Sequence, residues 1–143
     1  MRVLLICLVL TNTNPHTELL DAIKQVESGG DNNAIGDSGA SLGGFQITHQ
    51  FYTDAVEFDR SLRKHKYNDV KKDYVARLVI RAYWRRYCTK KRLGREPTDV
   101  DRMRLVNGGC NAYKFQYEAK EKRLKIYVAK VQAELKKKAG ATK

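Results

Sequence analysis

The chain has 143 residues, 42% of them hydrophobic and 31% charged, with two prolines and no internal repeat, linker or low-complexity tract. That is the size of one ordinary domain with room for a real core, and the balance excludes a disordered chain. Lys and Arg outnumber Asp and Glu by 28 to 16, a net charge of +12. This favours polyanionic partners, whether nucleic acid, an anionic membrane or a cell wall bearing anionic polymers, and charge alone does not choose among them.

Met1-Arg2 followed by the apolar run Val3 to Leu10 reads as the positive and hydrophobic regions of a signal peptide. On this reading residues 1–14 are a leader, residues 15–143 are the domain and the protein is secreted. The segment is short for a leader and no A-x-A site follows it, so a buried strand or a leading helix of the fold is the alternative. Eight apolar residues are too few to span a bilayer as a helix, so no stable membrane insertion is expected.

Beyond it the pattern is mostly helical. Leu19, Ala22, Ile23 and Val26 recur at helical spacing after Thr17 as N-cap, and Gly29-Gly30 stops that helix. The composition from Asp31 to Gly44 turns to Gly, Asn, Asp and Ser, which predicts turns and a small hairpin. A second helix is expected from about Thr48. Asn68-Asp69 is expected to open a third, with Tyr74, Val75, Leu78, Val79 and Ala82 on its buried side and Arg77, Arg81 and Arg85 on the other. Thr98 can cap a fourth helix that ends at Asn107-Gly108-Gly109. A last helix is predicted from about Asn111 to Lys138, with Leu124, Val128, Val131 and Leu135 as its seam. The expected fold is α+β, mainly helical, with a small β element after the first helix.

Three cysteines fit secretion without proving it. Cys7 would leave with a leader, and Cys88 and Cys110 would remain, either as a disulfide or as two buried thiols. No C-x-x-C is present, and His16, His49 and His65 are scattered, so neither a metal nor another cofactor is expected.

Two carboxylates carry the candidate chemistry. Glu27 falls on the last turn of the first helix, where the negative end of the helix dipole and burial against the apolar stripe both disfavour ionisation. A glutamic acid that stays protonated is what a glycosidase needs to protonate a leaving oxygen. Asp37 lies in a Gly-rich turn, where it would remain solvated and ionised. Taken singly, Glu27 reads as readily as an ordinary surface glutamate and Asp37 as a turn former.

The segments Glu27-Ser-Gly-Gly30, Gly36-Asp37, Ser41-Leu-Gly-Gly-Phe-Gln-Ile47, Tyr52-Thr-Asp-Ala55, Tyr83-Trp-Arg-Arg-Tyr87 and Val106-Asn-Gly-Gly109 together resemble the invertebrate-type (destabilase-like) lysozymes. The resemblance spans roughly residues 17 to 115 and lies in the combination rather than in any one piece. It implies a lysozyme-like fold and hydrolysis of the β-1,4 bond between N-acetylmuramic acid and N-acetylglucosamine in bacterial peptidoglycan. Glu27 would be the proton donor and Asp37 the second carboxylate and nucleophile. Ser41, Gln46, Thr48, Tyr52, Asp54, Tyr83, Asn107 and Gly108 would be the substrate-binding residues. The chain departs from that family in its few cysteines, in a shorter stretch between Glu27 and Asp37, in Gly44 where a proline is common, and in Val106 where a histidine is common.

Tyr52, Tyr83, Trp84 and Tyr87 can stack on sugars or fill the core, and Tyr83 is the best groove candidate. The basic last helix, with Lys136-Lys-Lys138, is either a solvated face or a means of attraction to an anionic wall. The expected partners are peptidoglycan and anionic wall polymers, the protein is expected to be a monomer, and no nucleic-acid motif is present. Two rivals remain. A lytic transglycosylase needs Glu27 but no second carboxylate, and a non-catalytic basic protein that binds wall polymers needs neither.

Overall fold

Helix α1 (Thr17–Ser28) turns Leu19, Leu20, Ala22 and Ile23 inward and ends at Gly29, whose left-handed backbone donates to the Gln25 carbonyl. The computed structural model describes residues 14–114 and 118–141, so the expected leader, apart from Asn14, lies outside the described residues. The N-cap of α1 is His16 in a left-handed conformation, not Thr17. Thr17 is already helical, and its hydroxyl donates to the Asn14 carbonyl at 2.7 Å.

Three two-residue strands follow: β1 (Ile35–Gly36), β2 (Ser41–Leu42) and β3 (Ile47–Thr48). They form an antiparallel sheet in the order β1-β2-β3, with Gly36 opposite Ser41 and Ser41 opposite Thr48. Thr48 then caps α2 (His49–Phe58), its hydroxyl accepting from the Phe51 N–H at 3.2 Å.

The third helix begins later than its sequence suggests. Residues Tyr67–Lys71 form a 3-10 turn and α3 runs from Asp73 to Tyr87. Asp69 accepts from the Lys66 N–H and from Lys72 Nζ, a local closure that competes with helical pairing, and Lys72 is extended. Helix α3 is the central element, burying Val75, Ala76, Val79, Ile80, Ala82, Tyr83, Trp84 and Tyr87. Tyr74 and Leu78, expected on its inner side, are 57% and 40% exposed. The stripe through Ala76, Ile80 and Tyr83 faces the core in their place.

A single turn, α4 (Lys90–Leu93), precedes α5 (Asp99–Gly108). Thr98 and Asp101 form a reciprocal capping box on α5, and Arg95 holds the buried Asp101 through paired contacts of 2.7 and 2.8 Å. After a 3-10 turn at Ala112–Lys114, α6 runs from Glu118 to Ala141, later than the expected start near Asn111. It buries Leu124, Tyr127, Val128 and Val131.

The architecture is therefore α+β and mainly helical, with its small sheet directly after the first helix. Helix α1 packs on α6, α2 on α3, and α5 on both α3 and α6. Ion pairs also join α1 to α3: Lys24 meets Asp73 at 2.9 Å, and Arg77 bridges Asp73 and Asp21 at 2.5 Å each. Among the described residues no helix is long and apolar enough to cross a membrane.

Replacing a helix-capping hydroxyl costs about 1 kcal/mol, whereas an exposed contact away from such features changes stability by less than about 0.5 kcal/mol. Urea denaturation of Thr98→Ala is expected to show the larger loss and Thr17→Ala the smaller. Equal losses would contradict this assignment of the caps.

Candidate functional site

The last turn of α1 is fastened to the sheet. Ser28 Oγ donates to the Gly44 carbonyl at 2.8 Å. A Cβ on Gly44 would stand 2.6 Å from Lys24 Cε and 3.0 Å from Asn32 Oδ1, so a side chain there would have to displace the Lys24 chain that packs over this loop. The fastening brings Glu27 close enough to Asp37 for the charge of one to act on the other.

Glu27 is half-buried. Burial raises its pKa above the ordinary glutamate value and the negative charge of Asp37 adds to the effect, while Tyr127 on α6 opposes it. The Tyr127 hydroxyl is itself buried, without a hydrogen bond of good geometry, and its titration is pushed far up by burial and by Glu27. The two groups influence each other across a close contact that lacks the geometry of a well-formed hydrogen bond.

Asp37 is exposed and sits in a left-handed conformation (φ 50), followed by Ser38 (φ 56). Such backbone is uncommon outside glycine and persists only where surrounding contacts hold it. Those contacts come from Ser41, whose hydroxyl donates to Asp37 Oδ2 at 3.0 Å and lies 3.2 Å from Gln46 Oε1. Gln46, also left-handed (φ 50), donates through Nε2 to the Gly43 carbonyl at 2.8 Å. A Cβ on Gly36 would fall 2.0 Å from Gln46 Oε1, so Gly36, Asp37, Ser41 and Gln46 form one interlocked unit.

Two cavities meet at Asn107; Glu27 lines the smaller of them, and Asp37 lines neither. One of about 340 Å³ is lined by Gln46, Thr48, Asp54, Tyr83, Asn107 and Gly108, together with Gln50, Phe51, Val106, Gly109 and Cys110. The other, about 240 Å³, is lined by Glu27, Val26, Asn107, Arg123, Ile126, Tyr127 and Lys130. Asn107 lines both, and its Oδ1 is buried without a partner. A larger cavity of about 740 Å³ opens beside Asn14 to Leu19, but its acids, Glu18 and Asp99, are exposed. The partly buried carboxyl of Glu27, rather than cavity size, marks the candidate site.

Six of the eight expected sugar-binding residues thus share one cavity. Tyr52 does not. Its hydroxyl donates to the His65 carbonyl and its ring packs with His49 and Tyr67. Ser41 is 1% exposed and positions Asp37 instead of lining the groove. Tyr83 lines it from below, 2% exposed and stacked on Phe51 at 3.7 Å, so it forms a floor more than a stacking platform. Trp84 belongs to the core, where its Nε1 donates to the Arg102 carbonyl at 3.1 Å.

Cys88 and Cys110 are not joined in this structure and stand as free thiols. Cys88 faces the start of α5, near Arg102 and Asp101, and burial pushes its thiol up to about 11. Cys110 faces the Tyr83 hydroxyl. The two side chains therefore serve different surroundings.

Sequence reasoning missed Tyr127, Arg123 and Lys130. Tyr127 follows Leu124 by three positions on the recognised seam, which was the available signal. Among the described residues no group of His, Cys, Asp and Glu could hold a metal ion. Compared with models of known protein families and with curated proteins, the chain has no match.

The neighbours of Glu27 make its titration predictable in sign. NMR of the side-chain carboxyl should give a midpoint above that of an exposed glutamate. Asp37→Asn should lower it by removing a negative charge, and Tyr127→Phe should raise it by removing the stabilising hydroxyl. An ordinary midpoint, unmoved by either change, would contradict this geometry.

Proposed function

We propose that the chain is a glycoside hydrolase of lysozyme type that cuts the β-1,4 bond between N-acetylmuramic acid and N-acetylglucosamine in bacterial peptidoglycan. The observation that carries this reading is the pair of unlike carboxyl groups: Glu27 half-buried with its pKa raised, Asp37 exposed and close enough to act on it. Environments that separate two carboxyl groups in this way suit one to act as acid and the other as anion.

In the proposed reaction the Glu27 carboxyl gives its proton to the glycosidic oxygen as the bond from that oxygen to the anomeric carbon breaks. The departing sugar leaves as a neutral alcohol. Asp37, held by Ser41, meets the positive charge growing on the anomeric carbon and forms or stabilises the glycosyl intermediate. Glu27, now a carboxylate, takes a proton from water whose oxygen bonds to the same carbon as any bond from that carbon to Asp37 breaks, and Asp37 is left as a carboxylate. The acid is thereby regenerated, the anomeric configuration is retained, and one water is consumed for each bond cut. The groove lined by Gln46, Thr48, Asp54, Tyr83, Asn107 and Gly108 would hold the sugars. The net charge of +12 would draw the protein to anionic walls, consistent with secretion and a bacteriolytic role.

The exposure of Asp37 favours one second reading, a lytic transglycosylase. There Glu27 alone would move the proton, and an intramolecular hydroxyl of the muramyl sugar would replace water.

Glu27→Gln keeps the shape of the side chain and removes the proton. General acid catalysis is worth about 10²–10⁴-fold, so clearing of a bacterial cell-wall suspension should fall by at least the lower figure while circular dichroism stays unchanged. A folded Glu27→Gln protein that retains a substantial share of the lytic activity would sink the assignment, and a wall-binding protein without catalysis would show no difference at all.

A further inference from the structure

The cavity beside Glu27 has a second wall that the cleavage chemistry does not use. On α6, Arg123, Ile126, Tyr127 and Lys130 fall at positions i, i+3, i+4 and i+7, a single line along one face of the helix, and all four line that cavity. Tyr127 is buried at the base of the line, Ile126 is half-exposed, and the two cations stand exposed on either side of them.

Most acids near this face are committed elsewhere. Glu121 is held by Arg104 at 2.7 Å, Glu134 by Lys137 at 2.6 Å, and Asp21 by Arg77 and Lys138. Among the described residues neither Arg123 nor Lys130 has an ion-pair partner. The groups acting on Glu27 are Tyr127 and Asp37, so the cations are placed to meet something that enters the cavity and not to neutralise the acid. Asn107, on the opposite wall, carries a buried Oδ1 without a partner, an acceptor suited to the N–H of an acetamido group.

A ligand that fits this wall carries an amide, a short apolar stretch for Val26 and Ile126, and a negative charge for the cations. We propose that Arg123 and Lys130 are specificity-determining residues that bind the acidic arm of a muramyl sugar, the carboxylate-bearing ether that distinguishes peptidoglycan strands from neutral chitin-type strands. The inference rests on the hydrolase reading above and deepens it by separating recognition of the substrate from the cleavage step. Charge-assisted contacts to a carboxylate discriminate strongly against a ligand that lacks it, because the neutral sugar leaves both cations unmatched.

The test measures binding first, in Glu27→Gln protein that leaves sugars uncut. Its probes are the tetrasaccharide of alternating N-acetylglucosamine and N-acetylmuramic acid and the neutral chitotetraose of equal length. The acidic probe should bind about tenfold more tightly than the neutral one, and adding Arg123→Gln with Lys130→Gln should shrink that preference to about twofold or less. Lys122→Gln with Lys125→Gln removes the same charge elsewhere on α6 and should leave the preference in place, as should Arg123→Lys alone. A preference unchanged by the Arg123 and Lys130 changes, one lost equally in the Lys122 and Lys125 protein, or no measurable binding of either probe would overturn the proposal. Cleavage by protein with Glu27 intact separates the two readings. Selective binding without any cleavage contradicts the hydrolase and leaves the recognition wall standing, whereas cleavage of both probes with unselective binding contradicts the wall alone.

Discussion

The site depends on the last turn of α1 being held from two sides at once. Helix α6 covers one side, with Tyr127 buried against Glu27, and the sheet loop covers the other through the Ser28 to Gly44 bond. Burying a carboxyl group disfavours its charged form, and it is this packing that raises Glu27. Were α1 to tilt away from α6, Glu27 would return to water and become an ordinary glutamate. The ion pairs from Asp21 and Lys24 to α3 add a third restraint on the same helix. Their individual worth is small, as for most part-exposed pairs.

Asp37 is held by a different means. Its turn has no core of its own, and its left-handed residues are kept in place by hydrogen bonds through Ser41 and Gln46 and by the absence of a side chain at Gly36. The two carboxyl groups thus sit on different supports, one on a packed helix and one on an interlocked loop. The first is half-buried and the second exposed. Tyr83, stacked on Phe51 and buried beneath the groove, links the sugar-binding cavity to the central helix α3, so the groove floor is also part of the core.

Much of this was legible in the sequence for identifiable reasons. The apolar spacing of Leu19, Ala22, Ile23 and Val26 and the glycine stop fixed α1 and placed Glu27 on its last turn. Thr48 and Thr98 announced their helices because each is a capping residue directly before an apolar pattern. The misses have physical causes. Asn68-Asp69 looks like a helix start, but Asp69 closes a tighter turn. Tyr74 and Leu78 match the helical period, yet a period does not say which of two apolar stripes meets the core. Ser41 and Tyr52 read as groove residues, but their hydroxyls are used inside the protein. Arg123 and Lys130 stayed hidden because nothing local separates them from the other cations of α6. Only the packing of that helix across α1 gives them a cavity to face.

The central claim is that water, activated by Glu27, completes the cleavage of a glycan strand. The most direct test digests purified peptidoglycan with the native protein in ¹⁸O-labelled water and reads the new strand ends by mass spectrometry. A retaining hydrolase places one labelled oxygen on each new reducing muramyl end, and the β-anomer appears first in NMR of a short digest. Unlabelled anhydro-muramyl ends would contradict water as the attacking group and leave the transglycosylase in its place, and an absence of new ends would contradict the enzyme altogether.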